Sequence, residues 1–144
     1  SDFAPKGHPV RGLVALAATE HNRLCCAWAD TMKTDAPKIL KNGMILTANT
    51  FQEVKKYLNW DVENINEFAI HQISNIHIQT FQKQFDIESN KVMSIIQKYG
   101  NMGPVSVPFI VSKLEIAERL TQGKMLRVVG SGSGLNCMVM DVQW

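Results

Sequence analysis

Apolar positions recur along this chain in two rhythms. Ile39, Leu40, Met44, Ile45, Phe51, Val54 and Leu58 stand roughly three and four residues apart, which predicts one long amphipathic helix. Thr34 or Asp35 can cap its start, Pro37 falls near its first turn, and Asn42-Gly43 marks a place for an interruption. A second helix is predicted after Ser74, with Ile78, Phe81 and Phe85 on one face and Gln79, Gln82 and Lys83 on the other. A third is predicted from Val105 to Leu120, stopping before Gly123, with Pro108 tolerable in its first turn.

The other rhythm is the short unbroken apolar run. Leu13-Val14-Ala15-Leu16-Ala17-Ala18 and Arg23-Leu24-Cys25-Cys26-Ala27-Trp28-Ala29 read as buried strands, although their alanines leave a helix open. Phe68-Ala69-Ile70 is a buried strand entered from the connection Asn64-Ile65-Asn66. The clearest strands are Met125 to Val129 and Leu135 to Val142, rich in branched residues and joined by glycines. Residues 1–12, with two prolines and two glycines, read as an irregular lead-in, and 91–99 as a connection with room for a short helix or strand. Strands interleaved with helices predict a layered α/β domain, a mixed sheet covered by helices.

Composition narrows the class. With 144 residues, 45% of them hydrophobic, the chain can bury one real core. A formal charge of +2, with Lys55-Lys56 the one adjacent basic pair, gives no electrostatic footprint for nucleic acid. No apolar run approaches the ~20 residues of a bilayer span, and no signal-peptide pattern opens the sequence. Three cysteines, two of them adjacent, make a poor disulfide framework and fit a reducing cytoplasm. An opening at Ser1-Asp2-Phe3 reads as a cut through a larger protein or as an expression remnant.

Candidate chemistry gathers in three places. In Tyr99-Gly100-Asn101-Met102-Gly103-Pro104, two glycines and a proline make a rigid turn that presents Asn101. His71 ends the Phe68-Ala69-Ile70 run and precedes a helix start, which places it at the carboxyl end of a strand, where ligand sites of layered α/β folds concentrate. There an imidazole can donate to a carbonyl oxygen or take a proton. The third place is the glycine-rich loop around Gly132-Ser133-Gly134, which is not a dinucleotide fingerprint because a strand follows it. Taken singly, each has a structural reading: a satisfied histidine, a common turn dipeptide, a hairpin. His21 with Cys25 and Cys26 lacks a second cluster for a metal, and His77 reads as a helix-surface residue. No cofactor is implied.

Together and in this order, the three pieces resemble the C-terminal half of a thiolase-superfamily condensing enzyme. The ketoacyl synthase III branch carries His-Gln-Ala-Asn, then Gly-Asn-Thr followed by Ser and Pro, then a triple-glycine loop. Here these are His71-Gln72-Ile73-Ser74, then Gly100-Asn101-Met102 with Ser106 and Pro108, then Gly132-Ser133-Gly134. The wording is closer still to the acyl-CoA condensing thiolases of head-to-head olefin biosynthesis, with His-Gln-(Val/Ile)-Ser, Gly-Asn-Ile-Gly-Pro-Ala-Ser-Val-Pro and Gly-Ser-Gly-Leu-Asn. The likeness is strong from Phe68 to Trp144 and weaker from Gly12 to Trp60.

The resemblance implies Claisen condensation of acyl thioesters, in which a cysteine is acylated and the enolate of a second thioester attacks it. His71 and Asn101 would hold the second thioester's oxygen, converging within roughly 4–7 Å as oxyanion donors. Ser133, in the Gly132–Gly134 loop on the rim, would lend its backbone N–H to the acyl carbonyl, and Ser74 and Gly103 would line the substrate. The nucleophile would lie in an N-terminal half not represented here, since Cys25, Cys26 and Cys137 read as inert buried thiols. Ser74 and Ile76 stand where ketoacyl synthase III has Asn and Arg, and losing that cation shifts the donor from acyl-carrier protein towards acyl-CoA. The implied partners are that N-terminal half and a second copy in a homodimer. A reading from another class is a noncatalytic module of the same fold, used for dimer assembly or acyl-ligand binding.

Overall fold

The branched apolar runs do form strands, and their sheet positions everything else. The computed structural model describes residues 7–58 and 61–144. Its main sheet has four strands, in the order β1 (Val10–Ala17), β6 (Asn136–Gln143), β5 (Met125–Gly132), β4 (Glu67–Ile70). β1 with β6 and β6 with β5 are antiparallel, whereas β5 with β4 is parallel, so the sheet is mixed as expected. β1 begins at Val10, inside the predicted lead-in, whose first six residues fall outside those described.

Side chains alternate across this sheet as the pleat requires. Phe68, Ile70, Met125, Val129, Cys137 and Val139 face one core, while Ala69, Leu126 and Val128 face another. The first core lies under α1 (Ala36–Leu58) and α2 (Asn75–Gln84). The second lies under α4 (Ser106–Ile116), through Ile110 and Leu114. Between α2 and α4 runs a single helical turn, α3 (Ile96–Tyr99).

Two helices differ from expectation. α1 runs unbroken through Asn42-Gly43, with Asp35 Oδ1 accepting the Lys38 N–H at 3.2 Å at its start. A helical glycine costs only ~1 kcal/mol relative to alanine, too little to break a helix that buries Met44, Leu46, Phe51 and Val54. α4 stops at Ile116 rather than Leu120, because Glu118 turns left-handed at φ 54°. There the Arg119 N–H donates to Leu114 O and the Glu118 N–H to Glu115 O, both at 2.9 Å, a Schellman closure without glycine.

The run at 23–29 is not a buried strand. Leu24 closes a 3₁₀ turn, and β2 (Cys25–Ala27) pairs only with β3 (Met32–Thr34) in a separate ribbon. Met32-Lys33-Thr34 offers no apolar face to bury such a ribbon, and Trp28 beyond β2 is 61% exposed.

A buried ion pair joins β5 to β6. Arg127 Nε and its terminal nitrogen each donate to the Asp141 carboxylate at 2.7 Å, and the guanidinium lies 5.0 Å from the Phe51 ring centroid. Among the described residues no helix is long and apolar enough to cross a membrane.

Candidate active site

The parallel pairing of β4 with β5 carries the chain straight into the site. The His71 N–H donates to Val129 O at 2.9 Å, extending the ladder by one residue and fixing the histidine at the strand's carboxyl end. Its ring is held from the far end of β5, where Nδ1 lies 2.9 Å from Ser131 O and 3.3 Å from Ser131 Oγ. A carbonyl oxygen only accepts, so this contact assigns the proton to Nδ1.

Asn101 reaches the ring from the opposite side. Its turn is built as expected, with Gly100 at φ 69° and Gly103 at φ 58°, both left-handed values that favour glycine. Asn101 Oδ1 accepts the Gly103 N–H at 2.9 Å, and buried Ser106 donates from Oγ to Gly103 O at 2.7 Å. Asn101 Oδ1 stands 3.4 Å from His71 Nε2, so the predicted convergence is present and tighter than expected.

Proton placement decides what the pair can do. With Nδ1 protonated, Nε2 of the neutral ring is bare and faces another acceptor, Asn101 Oδ1. Neutral His71 is therefore a proton acceptor at Nε2, and as the imidazolium it is a donor there. Asn101 Oδ1 is committed to Gly103, which leaves the Nδ2 hydrogens as the amide's donors.

The remaining predicted residues take clear places. Gly132 is the last residue of β5 rather than part of a loop, so the turn shrinks to Ser133, Gly134 and Leu135. A Cβ on Gly132 would meet Asn136 Oδ1 at 2.8 Å, a contact that the exposed Asn136 side chain can relieve by swinging away. Ser133 is exposed in the turn and Gly134 has φ 106°. Ser74 Oγ accepts the His77 N–H at 3.1 Å and so caps α2. Gly103 directs its own N–H to Asn101.

Two other expectations need correction. His77 is not a surface residue: it is half-buried, its Nδ1 is buried with no partner, and burial, aided by the charge of His71, pushes its pKa down to about 4. Its place in the polar stretch at the start of α2 gave no sign of this. Cys25 and Cys26 are half-buried rather than buried. Cys137 is buried as expected, and that burial pushes its thiol up. All three thiols are free, and the described residues hold no group of His, Cys, Asp and Glu able to bind a metal.

Sequence reading passed over Ser131, which orients the His71 ring, and Gln72, whose buried amide bonds to 93–96. Only the Ser131 position was foreseeable, as part of a loop already singled out.

Residues 56–144 match the family described as 3-Oxoacyl-[acyl-carrier-protein (ACP)] synthase III C terminal. An acyl-CoA:acyl-CoA alkyltransferase of Xanthomonas campestris pv. campestris is 42% identical over 100% of this chain and 43% of its own length. One from Shewanella oneidensis is 30% identical, covering 95% of this chain and 42% of its own length. A crystal structure of 3-oxoacyl-(acyl carrier protein) synthase III from Xanthomonas oryzae pv. oryzae superposes with a TM-score of 0.94 at 40% identity, over 99% of this chain and 42% of that one. OleA of Xanthomonas campestris, solved with lauric acid and lauroyl-CoA bound, also gives 0.94 at 42% identity, over 100% of this chain and 43% of that one. The chain thus has the thiolase-like fold of these proteins and spans 43% of the length of the first curated relative.

Proposed function

This chain belongs to the family of 3-oxoacyl-[acyl-carrier-protein] synthase III C-terminal domains, and from that premise we propose that it is the C-terminal part of an enzyme that condenses acyl thioesters. The observation that carries the reading is the meeting of His71 Nε2 and Asn101 at the end of a parallel strand. Asn101 Nδ2 donates to the second thioester's oxygen as enolate charge develops on it. As the imidazolium, His71 donates from Nε2 to the same oxygen. Two oriented donors at one developing charge are the standard means of lowering such a barrier.

The nucleophilic cysteine comes from an N-terminal half. Cys137 is buried beneath α1 with its thiol pushed up, the opposite of activation. In this reading the backbone N–H of Ser133, two residues beyond the Ser131 anchor of His71, holds the acyl carbonyl oxygen. Ser74, three residues beyond His71, and Gly103, two beyond Asn101, line the substrate in the same reading. An acyl-CoA donor suits the apolar lip: Ile76 is 65% exposed on the first turn of α2, where a carrier-protein site would want a cation. A malonyl thioester is the other donor that the pair can serve. The product class is a long-chain hydrocarbon precursor or a fatty acid, the compartment is the cytoplasm, which suits three free thiols, and the enzyme acts as a homodimer.

The test uses the full-length protein. His71→Ala or Asn101→Ala lowers condensation by roughly a hundredfold or more, the usual effect of losing an oxyanion donor, while acylation of the nucleophile by acyl-CoA survives better. Equal and complete loss of both steps would sink the assignment.

A further inference from the structure

The bonds that place the Asn101 turn lead back to one side chain beside His71. Gln72 is 0% exposed, and one neighbouring segment takes up both polar atoms of its amide. Nε2 donates to Met93 O at 2.7 Å, and Oε1 accepts the N–H groups of Ile95 at 2.8 Å and Ile96 at 3.1 Å. Those two N–H groups open α3, whose own preceding residue, Ile95, supplies no side-chain cap. A single turn of four residues does not sustain itself. Its cap comes instead from the strand end that carries His71. α3 then closes on Gly100, and Asn101 is the next residue.

We propose that Gln72 is a positioning residue, which sets the separation of His71 and Asn101 by clamping residues 93–96 to the end of β4. This rests on the reading of that pair as the thioester-oxygen site. The other ties point elsewhere. Ser106 to Gly103 and Gly103 to Asn101 are internal to the turn, and the backbone bridge of Val92 to Phe68 holds the chain upstream of α3. Among the described residues, Gln72 supplies the side-chain hydrogen bonds between strand end and helical turn. A clamp of this kind acts on rate through geometry, since a displacement of ~1 Å can cost roughly a hundredfold.

Two variants of the full-length enzyme test the clamp. Gln72→Met removes the three hydrogen bonds at similar volume. It should lower condensation roughly tenfold to a hundredfold, with acylation and the thioester KM held within about twofold. Gln72→Glu keeps the acceptor for Ile95 and Ile96, but meets Met93 O properly only when its new carboxyl is protonated. Its condensation rate should match wild type at acidic pH and fall as pH rises through that carboxyl's pKa, a limb absent from wild type and from Gln72→Met. Condensation and acylation falling together, in step with thermal stability, would overturn the proposal. A crystal structure of Gln72→Met supplies a readout independent of activity: the 3.4 Å between Nε2 and Oδ1 should lengthen, and an unchanged separation refutes the clamp. If the wild-type enzyme condenses no thioesters, the functional reading fails by itself, and the separation still decides the role of Gln72.

Discussion

β4 and β1 are both edge strands of one sheet, yet all four residues of β4 are buried while β1 alternates between half-buried and exposed. The difference lies in what covers them. β4 and β5 are sandwiched between α4 on one face and α1 with α2 on the other. β1 has α1 against Val14 and Leu16, and nothing described against Leu13, Ala15 and Ala17. The candidate site stands on the finished side, so its geometry is set within this chain. The open side, which continues through Met138, is where another body would fit. A preorganised pair of side chains and an incomplete surface coexist in one sheet because the helices cover it unevenly.

The comparison can be broken most sharply by truncation. Phe68→Ala, at a site with 0% exposure, should cost about 3–5 kcal/mol, whereas Leu13→Ala, at 53% exposure, should stay within about 0.5 kcal/mol. Urea denaturation of the two variants measures both, and equal losses would show that β1 is covered after all. At the seam between the sides, Asp141→Ala strands a buried guanidinium and should cost about 3–5 kcal/mol, while Arg127→Met with Asp141→Leu should recover most of it.

A change of the open face tests association rather than stability. The isolated chain should self-associate through this face, and Leu13→Lys with Met138→Lys should shift it to monomer in light scattering. A monodisperse monomer from the unaltered chain would remove the argument for a docking face. The smallest effect concerns His77. Its pKa falls from 6.5 to about 4 on folding, so the unfolded state binds the extra proton, and stability present above pH 6.5 declines as pH drops towards 4. His77→Gln should flatten that part of the stability-pH curve relative to wild type, and parallel curves would show that folding leaves the His77 pKa unshifted.

What was legible followed from how local each determinant is. The strands at Phe68-Ala69-Ile70 and 125–129 announce themselves in branched runs, and α1 in its spacing, because burial of a whole face needs many residues to agree. The turn at Asn101 was legible because positive φ selects glycine at 100 and 103. Glu118 takes a similar conformation without glycine, so the end of α4 was misplaced. Nothing local marks Gln72 as a partner of the site, since its bonds begin 21 residues away, and Ser131 was marked only by its place beside the glycine-rich loop, 60 residues from His71. The β2–β3 ribbon failed for the opposite reason. Its apolar run is real, but its partner strand Met32-Lys33-Thr34 gives the ribbon no apolar face to bury.

The pairing of β1 with β6 also governs the order of events as the chain is made. Val10 lies opposite Val142, so the partner of β1 is synthesised after every helix described above. Until then β1 lacks its one strand neighbour, and its backbone donors and acceptors are unpaired. Long-range antiparallel closure of this kind is slow, because the loop must be drawn in before any contact rewards it. The parallel pair β4 and β5 closes across a shorter stretch and can form first. For the nascent chain, the edge at β1 is therefore the period of greatest exposure to wrong partners.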